Sequence, residues 1–197
     1  MNISTPIFMI LRIAAAITVL IGWSDLHSRQ SRAPLEQGNT PSPFILSVVP
    51  TQSEREPIGR RISMAKTSPG TFYVILTNTS KEPQAAFESW NSWGYQAVSF
   101  QVQTADGRHF VITKKQHDFT RNFPSPFIIP PGDHMVYPIS LNHEWNVAPA
   151  FPIADATPLS ITLKAVYEVH PTPEAVKGKV WTGRVESKTL ELKLRHW

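Results

Sequence analysis

Six histidines lie between residue 109 and the C-terminus, and two of them are followed directly by a carboxylate, in His117-Asp118 and His143-Glu144. An imidazole next to a carboxylate could give a divalent metal two ligands. A helical zinc site needs a further ligand at fixed spacing, as in H-E-x-x-H, and Pro149 falls where the helix carrying it would have to run. His109, His117, His134, His143, His170 and His196 therefore read as scattered surface residues, and neither a metal nor a cofactor is expected. Nucleophilic chemistry finds no better footing. The chain has no cysteine and no G-x-S-x-G elbow, and serines near glycine, such as Ser68 before Pro69-Gly70, belong to turns. Glycoside hydrolysis requires two carboxylates flanking the scissile bond. Glu88, Asp106, Asp118, Asp133, Glu144 and Glu168 are available, but nothing in their spacing pairs them, and each reads as a solvated charge. No catalytic residue is assigned, and the chain reads as a non-enzyme.

Two stretches could bind. SWNSWGY, Ser89 to Tyr95, brings Trp90, Trp93 and Tyr95 together with Asn91, Ser92 and Gly94 between them. Residues three apart face opposite sides of an extended strand, and Asn-Ser and Gly call for a turn or bulge, which could put both indoles on one side. The rings would then stack on sugars, with Asn91, Ser92 and Gln96 hydrogen-bonding the ligand. The competing and favoured reading is an aromatic corner closing one end of a fold, because large aromatic rings usually pack. Trp181 reads as core or sheet face, Trp145 lies among polar residues, and the terminal Trp197 reads as exposed. KKQHDFTRNFP, Lys114 to Pro124, interleaves Lys114, Lys115 and Arg121 with Phe119 and Phe123 in a long loop or short helix. It could hold an anionic glycan or an acidic partner. Its structural alternative, which is preferred, has Phe119 and Phe123 pinning the loop while the cations stay solvated. The candidate ligand-binding residues are thus Trp90, Asn91, Trp93, Tyr95, Lys114, Lys115 and Arg121. The partner would be a cell-surface glycan or another protein.

These residues need a scaffold, and the chain spells out a β-rich one. It holds 18 prolines and 9 glycines, with β-branched and aromatic residues in short runs, a composition suited to many short strands. Val98, Phe100 and Val102 alternate with Ser99, Gln101 and Gln103, and HFVIT follows across Asp106-Gly107, a hairpin signal because glycine accepts the positive φ of a tight turn. Ile161, Leu163, Ala165, Tyr167 and Val169 form one face of a longer strand, and Leu190, Leu192 and Leu194 alternate with charges near the C-terminus. Met135, Tyr137, Ile139 and Leu141 alternate in a strand that Pro138 assigns to a sheet edge, since proline cannot donate to a ladder. TFYVILTN is apolar on both faces and predicts a central strand covered on each side. IIPPGDHM places Pro-Pro-Gly-Asp at a strand head, where proline presets φ and glycine permits the turn. Nine strands at near-regular spacing result, an all-β immunoglobulin-like or Greek-key sandwich.

The formal charge is +4, but the basic residues are scattered, with pairs only at Arg60-Arg61 and Lys114-Lys115. A nucleic-acid site would cluster them, so nucleic acid is not an expected partner. At the N-terminus Arg12 precedes IAAAITVLIGW, and Gly22 and Ser24 are small residues before a polar stretch, the outline of a cleaved signal peptide. The apolar stretch from Pro6 to Trp23, interrupted only by Arg12, also approaches the roughly 20 residues that span a bilayer, so residues 7–23 could remain as a membrane anchor. Without cysteine there is neither a disulfide nor an acylated anchor, and the core alone must hold the fold. The expected organisation is a signal peptide or anchor at 1–24, a linker at 25–43 and a β-sandwich at 44–197. The protein reads as exported: periplasmic, secreted or membrane-anchored.

The order LTNTS, a strand pair, then IPPGD at the head of another strand resembles bacterial extracytoplasmic sandwich modules, including the BsuPI-type proteinase-inhibitor domain. NSWGY, TRNFPSPFIIPPGDH, AVYE and VWTGRVES together resemble an uncharacterised family of exported proteins of planctomycete-type bacteria, over roughly Phe72 to Ser187. That resemblance implies export and a sandwich and carries no catalytic residues. The expected function is a non-catalytic binding or interaction module. The alternatives are a carbohydrate-binding domain or enzyme using the Trp90/Trp93 corner, and a proteinase inhibitor whose protruding loop would be FPSPFIIPP.

Overall fold

Alternation of period two becomes strand wherever it occurs in the residues that a computed structural model of the protein describes: 41–53, 56–64, 70–148, 151 and 159–196. The expected leader, the linker up to residue 40 and Trp197 lie outside them. Among the described residues the order is β1 Phe44–Val49, β2 Thr51–Ser53, β3 Glu56–Met64, β4 Thr71–Asn78, β5 Gln84–Phe87, α1 Ser92–Tyr95, β6 Val98–Thr104, β7 His109–Lys114, β8 Pro126–Ile129, β9 His134–Ser140, β10 Trp145–Asn146, β11 Leu159–Val169, α2 Pro173–Lys177, β12 Gly183–Glu186 and β13 Leu190–His196. All nine expected strands form. The count of nine is corrected to thirteen by β2, β5, β8 and β10, which are two to four residues long and too short to display a period.

Among the described residues the strands form three sheets. One runs β1-β4-β9 and is antiparallel. The largest runs β10-β7-β6-β11-β13-β3-β2, with β3 parallel to β13. Here β11 is long enough to pair with β13 through Leu159–Leu163 and with β12 through Val166–Val169. Buried Ser187 bridges the gap between them, its N–H donating to the Ala165 carbonyl at 2.9 Å and its hydroxyl accepting from the Ala165 N–H at 3.0 Å. The third sheet is the short pair β5-β8.

The core fills the space between the first two sheets. Phe72 of β4 meets Phe100 of β6 at 5.5 Å between ring centroids, and Tyr137 of β9 meets Tyr167 of β11 at 6.0 Å. Val74, Leu76, Leu163 and Ala165 are fully buried around them. Two layers with interdigitating inner faces make an all-β sandwich. β9 ends its sheet in the strand order, and Pro138 is exposed there, as the missing donor requires. One expectation is corrected. β4 is central along the hydrogen-bonding direction, but only its Phe72, Val74 and Leu76 side is covered, and Tyr73 is 43% exposed on the other. Being flanked by strands and being covered by layers are separate conditions, and a run of apolar residues does not distinguish them.

Two turns join local chemistry to register. At Asp106-Gly107, Gly107 takes φ +85°, and the Asp106 carboxylate accepts from the Thr104 hydroxyl and, at 2.8 Å, from Arg108 Nε. The Thr104 hydrogen bond, with help from Arg108, lowers the Asp106 pKa. At Pro-Pro-Gly-Asp, Gly132 takes φ +79° and its N–H donates to the Asn78 carbonyl at 2.8 Å. The Asn78 side chain, buried at the end of β4, donates to the carbonyls of Glu82 and Ile129 at 2.8 and 2.9 Å and accepts from Ser80. A single satisfied amide thereby fixes the ends of three strands.

Candidate binding surface

The aromatic corner is built on one helical turn. Asn91 caps α1 with an extended backbone, and its Oδ1 accepts from the N–H groups of Trp93 and Gly94, both at 3.1 Å. Its amide also donates to the Ser125 carbonyl at 3.4 Å. This is ordinary capping chemistry. Gly94 is required by a close approach: a Cβ there would lie 2.3 Å from the Glu88 carbonyl oxygen and 2.8 Å from that of Phe87.

The turn sends the two indoles apart. Trp90, 42% exposed, meets Phe123 edge-on at 4.8 Å, and Phe123 is itself 50% exposed. Trp93 is half-buried and packs against Phe87 at 6.3 Å. The loop bearing Phe123 is fastened beneath the pair. Asn122 accepts from the Ser92 N–H and donates to the Ser92 hydroxyl, each at 3.0 Å. The Glu88 N–H donates to the Ser125 carbonyl at 3.0 Å, and the Ser125 hydroxyl donates to the Glu88 carboxylate. Residues 115–125 are thus a loop without helix, and two exposed apolar side chains, Phe127 and Ile128, follow on β8.

The seven candidate residues therefore divide. Trp90 and Arg121 are exposed on the corner and its loop. Asn91 is wholly buried, with its polar atoms committed to the fold. Trp93 belongs to a different surface from Trp90. Lys114 is held 4.5 Å from the Tyr95 ring centroid and 5.3 Å from that of Trp145, with its ammonium 3.3 Å from Glu144. That cation–π arrangement supports the corner. Tyr95 also contacts His117 and Phe119, and partial burial, with the Glu144 charge, raises its hydroxyl pKa. Lys115 is exposed, and its N–H closes onto the Glu144 carbonyl at 2.8 Å. Phe119 pins the loop as expected, whereas Phe123 packs on Trp90 at the surface. Trp145 is buried against Phe100, and Trp181 stacks on Tyr167 with Phe44 at its edge.

The remaining candidates stay dispersed. Glu144 pairs with Lys114, Glu168 with Arg184, and Asp106 with Arg108. Among the described residues no three of His, Asp and Glu gather as metal ligands. The middle of FPSPFIIPP is strand β8, with Ile129 buried. Trp93 and Ser92 line a groove of about 510 Å3 that also takes residues from β6, β7 and the end of β11. A depression of about 390 Å3 over β6, β11 and β13 has no aromatic wall and is crossed by a Lys193–Ser160 hydrogen bond.

Phe123 as the partner of Trp90 was not marked by the sequence, because the two are joined by loop hydrogen bonds across more than 30 residues. The groove residues on β11 are farther still, and only strand pairing brings them near Trp93. Compared with known protein families and with curated proteins, the chain matches none.

Proposed function

We propose that the protein is an exported, non-catalytic interaction module that engages another protein through the Trp90–Phe123 face. The supporting observation is the exposed, edge-packed pair of rings held rigid by the Ser92–Asn122 and Glu88–Ser125 hydrogen bonds. Aromatic side chains and arginine are enriched at the energetic centres of protein interfaces, and rings ordered beforehand lose little entropy on binding. Arg121 and Lys115 on the same loop would bias the partner toward an acidic rim. Export rests on the Arg12 and apolar-run pattern, and on the resemblance to exported sandwich proteins.

The decisive experiment places a photo-crosslinking phenylalanine analogue at position 123 in the organism that makes the protein. A discrete protein adduct should form and should fall about tenfold or more with Trp90→Ala, the usual scale of a central interface residue. Adducts no more abundant than those from the same analogue at Val176, which is 75% exposed outside the corner, would overturn the reading. Intact-mass measurement of the protein from that organism tests export: loss of residues 1–24 is expected, and their retention leaves the anchored form.

A further inference from the structure

The groove beside Trp93 is a second, differently built site, and we infer that it binds a neutral saccharide. Its back wall is the Trp93 indole, packed against Phe87 at 6.3 Å between ring centroids. An apolar ring face held in place is the platform on which the C–H face of a pyranose packs.

The other walls offer hydrogen-bonding groups with unused capacity. Gln96 donates to the Lys114 carbonyl at 3.2 Å and keeps its own carbonyl oxygen free to accept. Ser99 and Thr113 are direct cross-strand neighbours on β6 and β7, and among the described residues neither hydroxyl is engaged by another protein group. The Thr172 hydroxyl lies at the groove's edge, where it accepts from the Ala175 N–H at 3.1 Å. Glu168 places one carboxylate oxygen 2.7 Å from Arg184, while the other lies 3.8 Å from His170. Neutral hydroxyl and amide groups around an aromatic wall match a polyhydroxylated ring, which must both donate and accept.

Charge selects within that chemistry. Lys164, Glu186, Arg184 and Glu168 form a continuous ladder of alternating sign, linked at 2.8, 2.9 and 2.7 Å. The one acidic group in the groove is therefore already compensated, leaving little to attract a basic side chain. An anionic sugar would meet the Glu168 carboxylate with no lysine or arginine on the lining. The volume, about 510 Å3, lies within the range of about 300–1,000 Å3 usual for small-ligand sites.

The test titrates the intact protein with neutral gluco-, manno- and xylo-oligosaccharides, alongside an oligogalacturonate and an arginine-rich peptide, using calorimetry and saturation-transfer NMR. At least one neutral series should bind. The double variant Ser99→Ala/Thr113→Val, which keeps strand-forming bulk, should weaken it by about tenfold or more, as expected for two lost ligand hydrogen bonds. If that variant does not fold, Gln96→Met reads the same groove from α1's flank and should also weaken binding. Silence from every neutral series at millimolar concentration, a preference for either charged probe, or affinity unchanged in a folded groove variant overturns the inference. Trp90→Ala should leave sugar binding intact, so the groove and the Trp90–Phe123 face fail independently.

Discussion

The corner and the core handle their aromatic side chains in opposite ways. In the core, Tyr137 and Tyr167 are buried down to their hydroxyls, neither of which has a well-formed hydrogen bond to another protein group among the described residues. At the corner, Trp90 and Phe123 remain near half-exposure although Ser92–Asn122 and Glu88–Ser125 hydrogen bonds tie down the chain on either side of them. Rigidity and burial are thus separable: the core is ordered by packing and the corner by hydrogen bonds. A surface ordered in the second way can present apolar rings to water without collapsing onto them.

The comparison breaks most visibly at Gly94. Gly94→Ala must displace main-chain atoms of Phe87 and Glu88, and should cost about 3–4 kcal/mol in chemical denaturation, with loss of the Trp90–Phe123 geometry. Next comes alkaline pH. Burial raises both core tyrosines, Tyr137 well above its usual value and Tyr167 to about 12. A group protonated more tightly when folded stabilises fully below its unfolded pKa near 10, and that stabilisation disappears as pH climbs from about 10 through 12. For Tyr167 the loss is about 2–3 kcal/mol, read as a drop in denaturation midpoint that should be smaller in Tyr167→Phe, which keeps only the Tyr137 contribution. In the same titration, absorbance at 295 nm should report the two core phenols ionising only as the protein unfolds.

Asn91→Ala removes a cap and uncovers buried donors, and should cost about 2 kcal/mol by thermal or urea unfolding. Trp90→Ala closes the series at under about 1 kcal/mol, since the ring is close to half-exposed and its partner Phe123 lies at the surface too, while acrylamide should quench Trp90 more readily than Trp93. A stability loss at Trp90 as large as that at Asn91 would erase the distinction between corner and core.

What could be read from the sequence follows the range of the interaction responsible. The Asp106-Gly107 hairpin, the β11 and β13 alternation and the edge position of Pro138 are local and were legible. β5 and β8 were not, because four-residue strands carry almost no period and β8 is hedged by prolines. Exposure on the outer side of β4 was misread because its residues would suit a second covering layer equally well. At the candidate site, Asn91 and Lys114 looked like ligand groups by type alone. Their true partners, the α1 backbone in one case and Tyr95, Glu144 and Trp145 in the other, appear only once the chain has folded.

Strand β8 carries a last consequence. Ala85, opposite Ile128, uses its carbonyl to accept from Trp181, so this pair turns its backbone groups away from the shared ladder. Ile128 therefore points its N–H outward, and Pro126, the next residue in that direction, has no N–H to offer. A foreign strand approaching this edge finds one donor where regular pairing needs a row. Phe127, Ile128 and Ile129 would otherwise make an inviting template for fibre growth, and the prolines at 124, 126, 130 and 131 deny it a register. The molecule can leave this apolar flank open to a partner's side chains while closing it to other copies' backbones.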